Sequence, residues 1–229
     1  MTPEPGAKPA LALLAWLSPA FPVGAYAYSH GLEWAVEAGD VRDEASLEAW
    51  LRTLLLQGVG RSDGILLAHA YRAAVAADGD MLASVNELAL ALAPSAELRL
   101  ETAQQGRSFL DVVLATWPDP DQARLAAVIG EVAYPVALGL ASACHRIPLG
   151  DAAGSYLTAL AGNLVSSAIR LAPIGQTSGQ RVLARLVPDL GRLAECVLAS
   201  DLDDVGGATF RSDLGSLRHE TQYTRLFRS

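Results

Sequence analysis

Residues 154–180, GSYLTALAGNLVSSAIRLAPIGQTSGQ, contain the longest apolar helical pattern in the chain, and the fold is inferred outward from them. Leucines and alanines recur here at steps of three and four, which places them on one buried face of a helix. A second face carries small residues at intervals of four, namely Gly154, Thr158, Gly162 and Ser166. Another helix could approach this second face closely. Pro173 ends the pattern, and we expect a polar turn over 174–180 before the next helix.

The rest of the chain also shows helical periodicity, without the alternation that is typical of strands. Helices are predicted at about residues 8–17, 31–39, 43–60, 62–77, 81–92, 95–117, 121–129, 134–146 and 181–198. Ser62 or Asp63 is the expected N-cap of the fourth of these. Gly150-Asp151 is expected to separate the central helix from the one before it. Pro188 is expected to kink or split the last helix.

These patterns predict an all-α protein with one domain, a helical bundle of about nine or ten helices over residues 10–205. A flexible leader is predicted at 1–9. The segment 206–229, called the C-terminal tail below, is predicted to dock a partner.

Charge and lysine content exclude several classes of function. The 229 residues carry a net charge of −8, which is unfavourable for a nucleic-acid partner. Lys8 is the only lysine and lies in the proline-rich leader. A P-loop or a Schiff-base site cannot be built around it. We therefore expect no tightly bound cofactor.

Cysteine and histidine spacing argues against a metal site on one helix. Cys144 and Cys196 lie 52 positions apart without a CxxC pair, so a zinc knuckle is excluded and a disulfide framework is not expected. The histidines are His30, His69, His145 and His219. None stands three or four residues from another, so no HExxH clamp exists, and no GxSxG elbow occurs either.

The sequence has no apolar run long enough for a membrane helix and a poor signal-peptide pattern at its start. We therefore expect a soluble, cytoplasmic protein with reduced cysteines and no membrane partner.

The C-terminal tail differs in charge from everything before it. Its four arginines against Asp213 and Glu220 give a charge of +2, so the rest of the chain carries −10. A helix would align Arg211, Arg218 and Arg225, which are spaced by seven, beside an apolar stripe. Arginine and tyrosine are common in binding hot spots, so the composition predicts partner docking. The alternative is that the tail folds back onto the acidic body.

Two further stretches, 26–33 and 170–180, place polar and aromatic groups beside loops stiffened by prolines. We expect them to face a partner or to brace groups that do, since rigid loops lower the entropy cost of association. The alternative is that they only support the fold through interhelix hydrogen bonds. The candidate partner-binding residues are Tyr26, Tyr28, His30, Glu33, Arg170, Gln176, Gln180, Arg211, Arg218, His219, Glu220, Tyr223, Arg225, Leu226, Phe227 and Arg228.

Three stretches together resemble the UreF family of urease accessory proteins. They are SPAFPVGAYAYSHGLE at 18–33, NLVSSAIRLAPIGQTSGQ at 163–180 and SDLGSLRHETQYTRLFRS at 212–229. Phe21 and Leu217 depart from that family's usual leucine and methionine, and both changes are conservative.

The resemblance implies an all-α, usually homodimeric assembly factor without catalytic activity. Such a factor joins UreD (also called UreH) and recruits the GTPase UreG for nickel insertion into the urease apoprotein, with nickel in transit through the complex. An alternative role is a GTPase activator that acts on UreG through an arginine. A third alternative is an independent helical enzyme.

Overall fold

A computed structural model describes residues 9–171 and 174–229, and within these ranges it contains helices and turns but no strand. The helices are α1 (Pro9–Trp16), α2 (Leu32–Glu37), α3 (Glu44–Gln57), α4 (Val59–Val75), α5 (Gly79–Ala91), α6 (Ala96–Thr116), α7 (Pro120–Ala126), α8 (Tyr134–Cys144), α9 (Leu149–Leu171), α10 (Gln176–Ala199) and α11 (Phe210–His219). Short 3-10 turns occupy Ala25–Ala27 and Leu202–Asp204.

The all-α prediction is confirmed. Eleven α-helices lie within the described ranges, against the predicted nine or ten, and α1, α2 and α7 have eight residues or fewer. The predictions for the leader up to Lys8 and for Pro173 concern residues outside the described ranges.

The centre of the molecule is the contact between α4 and α8. Every residue of α8 from Pro135 to Ser142 is buried, as expected for a helix that is apolar on all sides. Gly139 lets α8 approach the α4 backbone, since a Cβ there would lie 2.5 Å from the Leu67 carbonyl oxygen. Helix α9 packs on α4 and α8, and α10 packs on α9 and α3. In the described part of the chain, no helix is both long and apolar enough to cross a bilayer.

The two faces predicted for the central helix have different outcomes. Leu157, Leu164 and Ala168 of α9 are buried, which confirms the apolar face. The prediction that a helix packs along the small-residue face is mostly wrong, because Thr158 and Ser166 are exposed. Part of this face instead borders a cavity described below.

Several predicted helix boundaries were also wrong. Helix α4 begins at Val59 after Gly58, so neither Ser62 nor Asp63 is its N-cap. Gly150-Asp151 lies in the first turn of α9 and does not interrupt it. The expected polar turn at 176–180 is the first part of α10. In each case, packing of the following apolar face outweighs the weak local preference for a turn.

Pro188 does not split α10, which runs unbroken from Gln176 to Ala199. A proline inside a helix removes one hydrogen bond and costs about 3 kcal/mol. Here the proline is exposed, while Leu186 and Leu190 on either side of it are buried. Burial of that face keeps the helix continuous through the proline.

Candidate functional site

The three stretches that carry the sequence signal meet in space. The backbone N–H of Arg228 donates to the Ala27 carbonyl oxygen at 2.9 Å. The Ser29 N–H donates to the carbonyl oxygen of Ser229 at 3.0 Å. The Arg170 guanidinium on α9 lies 4.2 Å from the centre of the Phe227 ring. The C-terminal tail is therefore folded onto the body, which is the alternative considered above.

Glu33, in the first turn of α2, receives three hydrogen bonds from the tail. Its carboxylate accepts from the backbone N–H groups of Leu226 at 2.6 Å and Phe227 at 2.9 Å. The third bond is to Nε2 of His219, at 3.1 Å. Glu33 is only 7% exposed, so these bonds form away from bulk water. One carboxylate thus joins the end of α11 to the segment that follows it.

His219 is completely buried between two carboxylates. Its Nδ1 lies 2.6 Å from Oε2 of Glu97 on α6, while its Nε2 faces Glu33. Arg225 donates to the other oxygen of Glu97 at 2.5 Å. His219, Arg225 and the two carboxylates therefore form one connected hydrogen-bonding cluster between the tail and the body.

Helix α11 is held at both ends by the body. Near its start, Arg211 pairs with Asp40 at 2.8 Å and lies over the Trp34 ring at 4.6 Å. Just after its end, Glu220 accepts from the backbone N–H of Ala96 at 2.8 Å. Ala96 is the first residue of α6, where free N–H groups and the helix dipole favour a carboxylate.

Side chains of α6 and α9 hold the stretch around Tyr26 and Tyr28 by hydrogen bonds. The Tyr28 hydroxyl donates to Gln104 at 2.5 Å, and burial raises the pKa of this tyrosine. Ser167 on α9 donates to the Tyr28 carbonyl oxygen at 3.0 Å. Arg170 donates to the Tyr26 carbonyl oxygen at 2.6 Å. The loop is thus held by its backbone, and the Tyr26 side chain remains 74% exposed.

His30 occupies a tight turn in the left-handed region, with φ 57°, directly before Gly31 with φ 74°. Its Nδ1 lies 3.7 Å from Oε2 of Glu101. Burial alone would lower the pKa of His30, but contact with Glu101 and the charges of Asp63 and Asp213 raise it overall. The turn therefore directs an imidazole toward an acidic group inside the protein.

His30, Asp63 and Glu101 line a cavity of about 600 Å³, called the inner cavity below. Its walls come from the 16–26 segment, the first turns of α4, parts of α6 and α9, and the tail at 206–213. Burial raises the pKa of Asp63 to about 6, although its bond from the Tyr156 hydroxyl, at 2.5 Å, acts in the opposite direction. Among the described residues, no group of three or more histidine, cysteine, aspartate or glutamate side chains is arranged to hold a metal ion.

The folded tail presents aromatic, apolar and cationic side chains to solvent. We give the name docking surface to three exposed tail residues and two exposed residues of the body beside them. They are Tyr223, Leu226 and Arg228 on the tail, and Tyr26 and Arg170 on the body. Tyr223 is fully exposed and Leu226 is 63% exposed. On α11, Phe210, Leu217 and Arg218 are exposed as well.

The candidate residues differ in exposure. Tyr28, Glu33, His219 and Phe227 are buried. For Tyr28 and Glu33 this position suits the bracing role that was allowed for residues 26–33. Arg225 is not aligned with Arg211 and Arg218, because α11 ends at His219. Gln176 and Gln180 are exposed on α10 and make no hydrogen bond to the tail among the described residues.

Sequence reasoning did not identify the partners of the tail on the body. The acidic ones are Asp40, Glu97 and Glu101. Two of them lie on α6, where polar residues at helical spacing look like an ordinary solvent-facing surface. The acidic charge of the body opposite the basic tail was the available signal, and it did not single out particular residues.

Comparison with known proteins matches this chain to one protein family. The family model for UreF matches residues 41–187. A urease accessory protein UreF from Xanthobacter autotrophicus is 65% identical over 96% of this chain and 90% of its own. A UreF from Azorhizobium caulinodans is 63% identical over 99% of this chain and 98% of its own. One from Methylobacterium radiotolerans is 60% identical over 99% of this chain and 100% of its own.

Proposed function

Because the chain belongs to the UreF family of urease accessory proteins, we propose that it joins UreD and with it recruits the GTPase UreG to the urease apoprotein. The observation that carries the proposal is the docking surface, which leaves Tyr223 and Leu226 in solvent although the Leu226 backbone is held by Glu33 and Phe227 beside it is buried. Tyrosine and arginine around an apolar centre are typical of binding hot spots.

The held backbone supports binding because it loses little further conformational entropy when a partner attaches. Loops that must be immobilised lower affinity, whereas the stretch 26–33 and the tail already bond to each other. The arginines of the tail stand out against the acidic body, so an acidic patch on UreD or UreG would be complementary.

The protein acts in this proposal as a cytoplasmic scaffold, without catalysis and as a homodimer. It binds no cofactor tightly, and nickel is in transit through the complex. Neither nucleic acid nor membrane takes part, consistent with the net charge of −8.

Binding to purified UreD, followed by UreG recruitment, tests the proposal. We expect the double variant Tyr223→Ala, Leu226→Ala to bind UreD at least about tenfold more weakly, because two exposed hot-spot side chains are lost. Its melting temperature should stay close to wild type, since exposed substitutions usually change stability by no more than about 0.5 kcal/mol.

The control is Val75→Ala, which removes an exposed apolar side chain at the end of α4. It should leave UreD binding unchanged. Wild-type affinity for UreD in the double variant would rule out the docking surface as the contact.

The exposed Arg218 favours a second candidate, activation of the UreG GTPase by an arginine. Its guanidinium makes no ion pair within the described parts of the chain, so it is available to a partner. GTP turnover by UreG with the same preparations and with Arg218→Ala separates the roles. If the protein is a scaffold without activator function, neither wild type nor Arg218→Ala changes GTP turnover by UreG.

A further inference from the structure

We infer that the buried Glu33 is a positioning residue that sets which tail side chains face the partner. The inference rests on the proposed function of the docking surface. Glu33 is too deeply buried to contribute to a contact itself, so its effect on binding would act entirely through the tail.

The last four described residues of the tail alternate between solvent and interior. Leu226 and Arg228 are exposed, whereas Phe227 and Ser229 are buried. Alternation is the property of an extended segment, in which successive side chains point to opposite sides. A shift by one residue would therefore turn Leu226 and Arg228 inward and Phe227 outward.

Glu33 accepts hydrogen bonds from the backbone of this segment and therefore constrains its register at Leu226 and Phe227, while the backbone bonds of Arg228 and Ser229 constrain its end. Its two carboxylate oxygens accept from the consecutive N–H groups of Leu226 and Phe227. The other body carboxylates that touch the tail bind side chains: Glu97 binds Arg225 and His219, and Glu101 binds the Ser229 hydroxyl. Side-chain bonds tolerate a displaced backbone, because the side chain can turn to follow it.

The strength of these bonds follows from the charge of the acceptor. Hydrogen bonds to an ionised carboxylate are about twice as strong as those between neutral groups. A glutamine at position 33 keeps one acceptor oxygen, but it places an N–H₂ donor toward tail N–H groups. If the glutamine oxygen takes the place of Oε1, the Phe227 N–H loses its acceptor and the His219 contact is altered as well; if it takes the place of Oε2, the Leu226 N–H loses its acceptor.

The experiment compares Glu33→Gln with Glu37→Gln, which changes an exposed glutamate on the same helix. Hydrogen exchange of the Leu226 and Phe227 amides should accelerate in Glu33→Gln, and UreD affinity should fall about tenfold or more. Glu37→Gln should match wild type in both. Hydrogen exchange of the backbone amides in α4 and α8 reports whether the body remains folded.

A positioning role also predicts that the effects are not additive. Leu226→Ala should weaken UreD binding in wild type, but should have little further effect beside Glu33→Gln, because Leu226 is then already misplaced. A residue that only stabilises the fold would leave the effect of Leu226→Ala unchanged.

Unchanged exchange in Glu33→Gln, or faster exchange with normal UreD affinity, would overturn the inference. If the body of this variant unfolds, Phe227→Ala takes its place, since it removes the inward anchor of the same segment without altering α2. Absence of UreD binding by wild type would instead refute the proposed function, while the exchange data would still report on Glu33.

Discussion

At the residue scale, the Asp63 carboxyl group in the inner cavity shows how local environment changes the effect of one charge. Its pKa is raised from 3.8 to about 6, first of all by burial, so the folded state binds a proton more tightly than the unfolded state. A raised pKa contributes stability below pH 4 that is lost as the pH rises through about 6. Above that pH, the fold carries a buried negative charge.

We therefore expect Asp63→Asn to gain stability relative to wild type as the pH rises from about 4 to 7. The relative gain should be roughly 2 to 3 kcal/mol, because one pKa unit corresponds to about 1.4 kcal/mol. The asparagine oxygen can still accept from the Tyr156 hydroxyl. Urea unfolding of both proteins across this range measures the difference.

Asp121→Asn serves as the control for that series, because this aspartate on α7 is exposed. A pH-independent difference between Asp63→Asn and wild type would show that the folded protein hydrates Asp63 well.

At the scale of elements, Gly106 fixes how closely α6 approaches the segment before α8. A Cβ there would lie 2.1 Å from the Val132 carbonyl oxygen and 2.8 Å from the Ala133 carbonyl carbon, both backbone atoms. Asn86 on α5 holds this segment through the Glu131 carbonyl at 2.7 Å and the Ala133 N–H at 2.9 Å. The segment therefore cannot move away freely.

We expect Gly106→Ala to destabilise the protein by about 2 kcal/mol or more, although alanine is the better helix former. The matched control is Gly191→Ala in α10, where no atom lies within 4 Å of the added Cβ. This second change should stabilise by roughly 0.5 to 1 kcal/mol. Thermal unfolding of both variants checks the opposite signs, and equal effects would contradict the close packing of α6.

At the scale of the whole molecule, the tail is also part of the wall of the inner cavity. Gly206, Thr209 and Ser212 line it, and the Ala208 N–H is fixed to the Gln57 carbonyl oxygen at 2.8 Å. The start of the segment that carries the docking surface thus also covers part of the cavity.

Removing residues 206–229 should expose more of the cavity walls while the helices before the tail stay folded. We expect far-UV circular dichroism to fall only by the share of the ten residues of α11. Binding of an apolar dye should rise, because apolar cavity walls become accessible. The full-length Tyr223→Ala, Leu226→Ala variant is the control, and unchanged dye binding after truncation would show that the tail does not shield the cavity walls.

The helical class and most helix positions followed from sequence, because apolar periodicity depends on neighbours three and four residues away. The buried face of α9 is an example. Boundaries such as those at Val59, Leu149 and Gln176 did not follow, since packing of distant helices outweighed local turn preferences.

The sequence alone determined the all-α class, the basic tail on an acidic chain and the three stretches that mark the UreF family. Only the tertiary structure decided that these stretches meet, and that Glu33 and His219 are buried braces while Tyr223 and Leu226 face solvent. The physical reason is that burial and hydrogen-bond partners depend on residues far apart in the chain. Glu33 and Phe227 are separated by 194 positions, and no local pattern records their contact.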